Sequence, residues 1–180
     1  MDIGKLQKSI NALPWLAFLI LTRLLPHPPN TAPIFCAAIA LSYFFSKNQV
    51  VTLGLIAFIL SDIALGFINH FPIFGLWSFF TYSGFIAALI LGTAFPITTS
   101  HRLHAFYAVV SSTFFFWVWT NFGTWLTTPL YPKTVAGLLA CFIAGIPFLS
   151  NSLLGNLAWG IVVFTPLFLY KKSWERQQSV

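Results

Sequence analysis

The chain has 180 residues, of which 58% are hydrophobic and only 7% are charged. A soluble domain carries about 25% charged residues, so this composition excludes a protein whose whole surface faces water. The net charge of +6 comes from basic residues scattered at the ends of apolar segments, which argues against a nucleic-acid partner and favours charges that orient the chain in a lipid bilayer.

Seven apolar runs follow one another between turn signals. They cover residues 10–25, 31–46, 50–69, 74–95, 104–122, 134–148 and 153–170. A transmembrane helix needs roughly 20 mostly apolar residues, but the sixth run is short, contains Gly137 and Gly145 and ends at Pro147. We therefore predict a single all-α domain over residues 1–180, with six transmembrane helices and a short or re-entrant helix at 134–148.

The distribution of lysine and arginine predicts an orientation, because cytoplasmic loops are enriched in both. Six crossings leave only Arg23 and Lys133 on the outer side. The basic residues of the inner side are then Lys5, Lys8, Lys47, Arg102, Lys171, Lys172 and Arg176. A seventh crossing would move the C-terminal tail outside and remove this asymmetry. The sequence predicts a multi-pass protein of the bacterial inner (cytoplasmic) membrane with both termini in the cytoplasm.

Two ionisable residues lie within or close to predicted crossings, where charges are costly and often functional. Arg23 is near the outer end of the first segment, and Asp62 is in the outer half of the third. Gly66 and Asn69 continue the helical face of Asp62. Two interpretations are open: the charges pair and fix the helices, or Arg23 holds an anionic group of a ligand while Asp62 receives a donor or a proton.

Uncharged polar residues gather at the same outer ends. The loop Pro26-His27-Pro28-Pro29-Asn30 is stiff and displays an imidazole and an amide, so it is either a ligand-binding loop or only a rigid turn. Buried amides need partners, whereas a lone tryptophan is commonly part of an interfacial belt. The predicted binding pocket consists of Arg23, His27, Asn30, Asp62, Asn69, Asn121, Trp125, Asn151 and Asn156.

Small residues recur at four-residue spacing in the fourth segment, at Gly84, Ala88 and Gly92. Such a pattern lets helices approach closely in lipid. It serves either packing inside the bundle or docking of a partner subunit.

Several stretches carry a family resemblance: Arg23-Leu-Leu-Pro-His-Pro-Pro-Asn30, Ser61-Asp62-Ile-Ala-Leu-Gly66, Thr120-Asn121-Phe-Gly-Thr-Trp125 and Ile146-Pro147-Phe-Leu-Ser-Asn151. Together they resemble an uncharacterised family of small bacterial membrane proteins that carry the label of transport proteins. The order of features is also similar to the substrate-binding S components of energy-coupling factor (ECF) vitamin transporters, which have six helices and a proline-bearing first loop.

The likeness to S components implies a site open to the outside, built from the first loop and the outer ends of the later helices. It also implies a separate energising ATPase and transmembrane module as partner. S components dock that module through an Ala-x-x-x-Ala pattern on their first helix, whereas here Ala12 is followed four places later by Leu16. The Gly84, Ala88 and Gly92 face offers another docking surface.

The leading hypothesis is a transport protein that binds a small solute at an outward-facing pocket, with no cofactor, no metal ion and no enzymatic activity. An alternative is an intramembrane enzyme acting on a lipid-borne substrate, with Asp62 and either His27 or His70 as acid and base. Another is an accessory membrane subunit without a ligand. The polar set is rich in amides and poor in paired carboxylates, which favours binding over chemistry.

Overall fold

The computed structural model describes residues 11–95 and 102–178, with side chains described for 11–95 and 103–169. Lys5 and Lys8 lie outside the described residues. Six helices fill these ranges, and no strand occurs within them, so the prediction of an all-α fold is confirmed. The helices are α1 (Leu13–Leu24), α2 (Ile34–Leu41), α3 (Lys47–Asn69), α4 (Leu76–Gly92), α5 (Arg102–Thr127) and α6 (Val135–Gln178).

Three of the described helices are long and apolar enough to cross a membrane: α3, the Leu103–Thr127 part of α5 and the Val135–Leu169 part of α6. The chain therefore has the character of a membrane protein, but the predicted six transmembrane helices are not supported. Helices α1 and α4 have 12 and 17 residues, and α2 has only 8. At 1.5 Å per residue, these three fall short of the roughly 30 Å of bilayer hydrocarbon.

The α1–α2 loop sets where α1 ends and where α2 begins. Leu25 leaves helical geometry, with ψ at 145°, because the residue before a proline is pushed toward extended backbone. The prolines that follow cannot donate backbone hydrogen bonds, and α2 starts only after Pro33. All eight residues of α2 are buried, so this helix lies in the interior of the bundle.

The last two predicted segments, 134–148 and 153–170, form one continuous helix of 44 residues, α6. Pro147 and Pro166 both lie inside it, whereas the sequence interpretation ended a helix at Pro147. A proline is tolerated inside a membrane helix when neighbouring groups satisfy the backbone that it frees.

The small residues of α4 are used inside the bundle. Gly84 lies against Trp119, and Gly92 lies against Ser112 and Ile39. The Ser112 hydroxyl donates to the carbonyl of Ala88 at 2.8 Å. Because α5 covers this face, the small residues serve packing inside the bundle, which is one of the two uses that their spacing predicted.

Neighbouring helices alternate in direction. Gly92 of α4 lies beside Ser112, near the start of α5, whereas Gly84 lies beside Trp119 toward its end, so α4 and α5 are antiparallel. In the same way Asn121 of α5 lies beside Gly145 of α6. The C-terminal ends of α1, α3 and α5 therefore gather at the end of the bundle that carries the α1–α2 loop, and the candidate site is built there.

Candidate functional site

An ion pair joins α1 to α3. The Nη2 atom of Arg23 lies 2.7 Å from Oδ1 of Asp62, and each side chain is 15% exposed. The other terminal nitrogen of Arg23, Nη1, donates to the Ser61 hydroxyl at 2.6 Å and to the Phe58 carbonyl at 3.0 Å. Both terminal nitrogens of the guanidinium are therefore engaged within the chain.

The same pair is tied to α4 and covered by a ring. Tyr82 donates its hydroxyl hydrogen to Oδ2 of Asp62 at 3.1 Å. The Arg23 guanidinium carbon lies 4.1 Å from the centre of the Phe58 ring, within the range of a cation–π contact. We call these residues, Arg23, Phe58, Ser61, Asp62 and Tyr82, the ion-pair cluster. It is a closed set of contacts that fixes three helices to one another.

A cavity of about 380 Å³ lies between α5, α6 and the loops at their end of the bundle. This volume falls within the range of small-molecule sites. Among the described residues that line it, none is charged. The lining consists of Asn30, Thr113, Phe116, Trp117, Thr120, Asn121, Thr124, Leu130, Tyr131, Cys141, Ala144, Gly145, Phe148 and Ser152.

One face of α5 supplies most of the polar lining. Thr113, Trp117, Thr120, Asn121 and Thr124 follow one another at spacings of one to four residues and line the same cavity, as expected of one side of a helix. The sequence interpretation selected only Asn121 from this set. The recurrence of hydroxyl, indole and amide groups at helical spacing is the signal that could have identified the others.

Asn121 and Trp117 are held against a glycine of α6. The Asn121 Nδ2 donates to the Trp117 carbonyl at 2.8 Å, and the Trp117 Nε1 donates to the Gly145 carbonyl at 2.8 Å. A Cβ atom at Gly145 would lie 2.9 Å from the Trp117 Nε1 and would collide with the Asn121 Oδ1. Glycine at this position therefore permits both side chains to sit at the helix interface.

The proline-rich loop contributes one residue to the cavity. Asn30 lines it and has a φ of 62°, a left-handed conformation that asparagine tolerates better than most residues. His27 is exposed, and its Nδ1 lies 2.8 Å from the Pro28 carbonyl. Asn69 is also exposed, and its Nδ2 donates to the Leu65 carbonyl at 3.0 Å. Neither His27 nor Asn69 lines the cavity.

Trp125 belongs to the turn that ends α5. Its Nε1 donates to the Pro132 carbonyl at 2.9 Å. The Lys133 ammonium donates to the Trp125 carbonyl and, at 2.6 Å, to the Thr128 carbonyl. These contacts neutralise the carbonyl end of the helix, and they hold Trp125 beside the cavity without making it part of the lining.

The two asparagines of α6 differ in their surroundings. Asn156 is 1% exposed, and its Oδ1 accepts from the backbone N–H groups of Phe35 at 3.2 Å and Cys36 at 3.1 Å. It therefore caps the buried start of α2. Asn151 is half-buried and makes no side-chain hydrogen bond within the described part of the chain; it stands one position before Ser152, which lines the cavity.

The structure thus divides the predicted pocket into two regions. Arg23 and Asp62 bind each other, whereas Asn30 and Asn121 line the cavity. The two regions are close: Phe116 lines the cavity, and its ring centre lies 6.3 Å from that of Phe58. One layer of aromatic rings separates them. The ligand-binding roles predicted for these residues remain predictions.

The described helices have the character of a membrane protein, and the described residues enclose a small cavity with an uncharged, partly polar lining. The chain belongs to DUF6580, a family of unknown function that matches residues 5–178. No curated protein and no solved structure matches the chain. The similarity to ECF S components therefore rests on the sequence motifs alone.

Proposed function

We propose that this protein is a membrane transport protein that binds a small solute in the cavity between α5 and α6. The observation that carries the proposal is the cavity itself, which combines about 380 Å³ of space with amide, hydroxyl and aromatic groups from three parts of the chain. A few polar groups set in an apolar wall are typical of ligand sites. Asn30 and Asn121 would orient the solute, and the rings of Phe116 and Trp117 would cover it.

In this function the ion-pair cluster has a structural role. Because Arg23 and Asp62 use their polar atoms on each other and on Ser61 and Tyr82, they hold α1, α3 and α4 to one another. Chemistry at Asp62 would first have to break this pair, which speaks against an intramembrane enzyme.

The orientation that we propose follows from the alternating helices and the basic residues. Lys47 starts α3 and Arg102 starts α5, at the end of the bundle opposite the cavity. Cytoplasmic loops are enriched in such residues. The cavity would then open toward the outside of a bacterial inner membrane, with both termini in the cytoplasm and, as in S components, a separate ATPase and transmembrane module supplying the energy.

A second candidate function is favoured by the closed ion pair. A polar cluster that only joins helices is what an accessory subunit without a ligand would contain. The two candidates differ in one respect that can be measured, namely whether the cavity holds a solute.

Mass spectrometry of small molecules that co-purify with the protein tests the proposal. We expect a solute to accompany the wild-type protein and to fall at least about tenfold with Asn121→Ala, which removes an amide from the lining. Asn48→Ala is the matched control, because Asn48 is an exposed asparagine at the start of α3. No solute from any of the three proteins would contradict solute binding and support the accessory role, and equal recovery of a solute from all three would contradict binding in this cavity.

A further inference from the structure

We call the face of α5 that lines the cavity the α5 wall. Its threonine hydroxyls already donate their hydrogens within the chain. Thr113, Thr120 and Thr124 each donate to a carbonyl one turn earlier in their own helix, at 2.8, 2.8 and 3.0 Å. A hydroxyl has one hydrogen to donate and two lone pairs that accept. These threonines can therefore offer a ligand only acceptor oxygens.

The amide on the same wall also presents an acceptor. The Trp117 carbonyl can only accept, so the nitrogen of Asn121 must face it at 2.8 Å, and Oδ1 points away. No described residue donates to this Oδ1. A buried Oδ1 would then be a buried polar atom without a partner, and the described part of the chain has none. The Asn121 oxygen is therefore not fully buried, although it lies close to Gly145, whereas the indole N–H of Trp117 is committed to the Gly145 carbonyl.

The positive charges nearest to the cavity are committed as well. Arg23 is paired with Asp62, and Lys133 donates to the carbonyls of Trp125 and Thr128. An anion at the α5 wall would lose its hydration and face lone pairs and rings, which is an unfavourable exchange. A ligand that donates hydrogen bonds, or a cation above a ring, gains contacts there instead. The lining residues whose donors make no hydrogen bond within the described residues, Asn30, Tyr131 and Ser152, lie off this wall.

We propose that the α5 wall of the cavity favours solutes whose polar group is a hydrogen-bond donor, an alcohol or an ammonium, over carboxylates of the same size. This inference rests on the proposed solute binding and specifies the class of solute. It replaces the expectation that Arg23 would hold an anionic group.

Three probes that differ only in their polar group test the selection: phenethylamine, 2-phenylethanol and phenylacetate, each titrated into the detergent-solubilised full chain by calorimetry at pH 7. We expect the amine and the alcohol to bind at least about tenfold more tightly than phenylacetate. Phenylacetate binding as tightly as the amine would overturn the selection while leaving solute binding intact. Binding of none of the three, together with no co-purifying solute, would overturn the proposed function itself.

Threonine-to-valine variants locate the effect at the α5 wall. Thr120→Val and Thr124→Val keep the shape of the side chain and remove an acceptor, so we expect each to weaken phenethylamine binding about fivefold. Thr127→Val is the matched control, because Thr127 makes the same type of bond to the Gly123 carbonyl at 2.8 Å and does not line the cavity. Unchanged amine binding in both lining variants, or an equal loss in the control, would contradict the inference.

Discussion

The ion-pair cluster and the cavity lie on opposite sides of one aromatic layer, and their polar groups differ in charge and in hydrogen bonding. In the cluster, a cation and an anion face each other at 2.7 Å and are further bound by Ser61 and Tyr82. In the cavity, none of the described lining residues carries a charge, and no described residue donates to the Asn121 oxygen. The charges of the cluster hold helices together, whereas the described lining of the cavity is neutral.

The energetic reason for this division is the cost of leaving a charge alone in a medium of low polarity. Separating Arg23 from Asp62 would expose two unpaired charges to the interior, a change far costlier than the contacts of most small ligands could repay. A neutral cavity can exchange water for solute at little cost. The cavity is therefore the better place for reversible binding.

The largest expected effect comes from breaking the ion pair on one side. Asp62→Leu leaves the Arg23 charge without its partner, and we expect it to lower the free energy of unfolding by about 3 kcal/mol. The double variant Arg23→Leu, Asp62→Leu should lose clearly less, because no charge is left unpaired. Unfolding in detergent, followed as a double-mutant cycle, measures both. A double variant as unstable as the sum of the two single variants would show that the pair is not coupled.

The next largest effect is expected at Asn156. Asn156→Ala removes the acceptor of two buried N–H groups at the start of α2, and we expect a loss of about 2 kcal/mol in unfolding free energy. Asn151→Ala, on the same helix, removes an amide that makes no hydrogen bond within the described residues, so its loss should stay within about 0.5 kcal/mol. Equal losses at the two positions would refute the capping role of Asn156.

Gly145→Ala should act on binding. The added methyl group would meet Trp117 and Asn121 and would displace both side chains at the cavity. We expect phenethylamine affinity to fall about tenfold, or about 1.4 kcal/mol. In Gly160→Ala the new Cβ would make only ordinary contacts, the nearest at 3.7 Å from Phe164, so binding should be unchanged. Unchanged affinity in Gly145→Ala would place the solute elsewhere.

The smallest effect is expected for Tyr82→Phe. It removes one hydrogen bond to Asp62 and leaves the ion pair in place, so unfolding free energy should fall by about 0.5 to 1 kcal/mol. Amine affinity should not change, because Tyr82 does not line the cavity. A loss of affinity comparable to that of Gly145→Ala would mean that the cluster and the cavity act as one site.

Sequence reasoning found the helical class and brought Arg23 and Asp62 together as one of two interpretations, because a charge at membrane depth needs a partner. It also selected Asn30 and Asn121, since polar amides stand out in an apolar chain. It could not separate the two regions. That separation depends on which face of α5 meets α6, and Gly145 and the short α2 decide this through tertiary packing.

The helix count failed for a related reason. Apolar runs give composition but not the positions where a helix starts and stops: the Pro26–Pro33 segment ends α1 and delays the start of α2, and α2 ends at Leu41, well before the end of its apolar run. Conversely, Pro147 was interpreted as an end and lies inside α6. A proline interrupts a helix only where its surroundings do not compensate for the lost hydrogen bond, and a single sequence does not reveal those surroundings.

An experimental density map of the protein purified with its bound solute shows where the solute lies. We expect density between α5 and α6 within hydrogen-bond distance of Asn121, with Arg23 and Asp62 still in contact. Solute density inserted between Arg23 and Asp62, with the cavity beside Asn121 empty, would contradict this account.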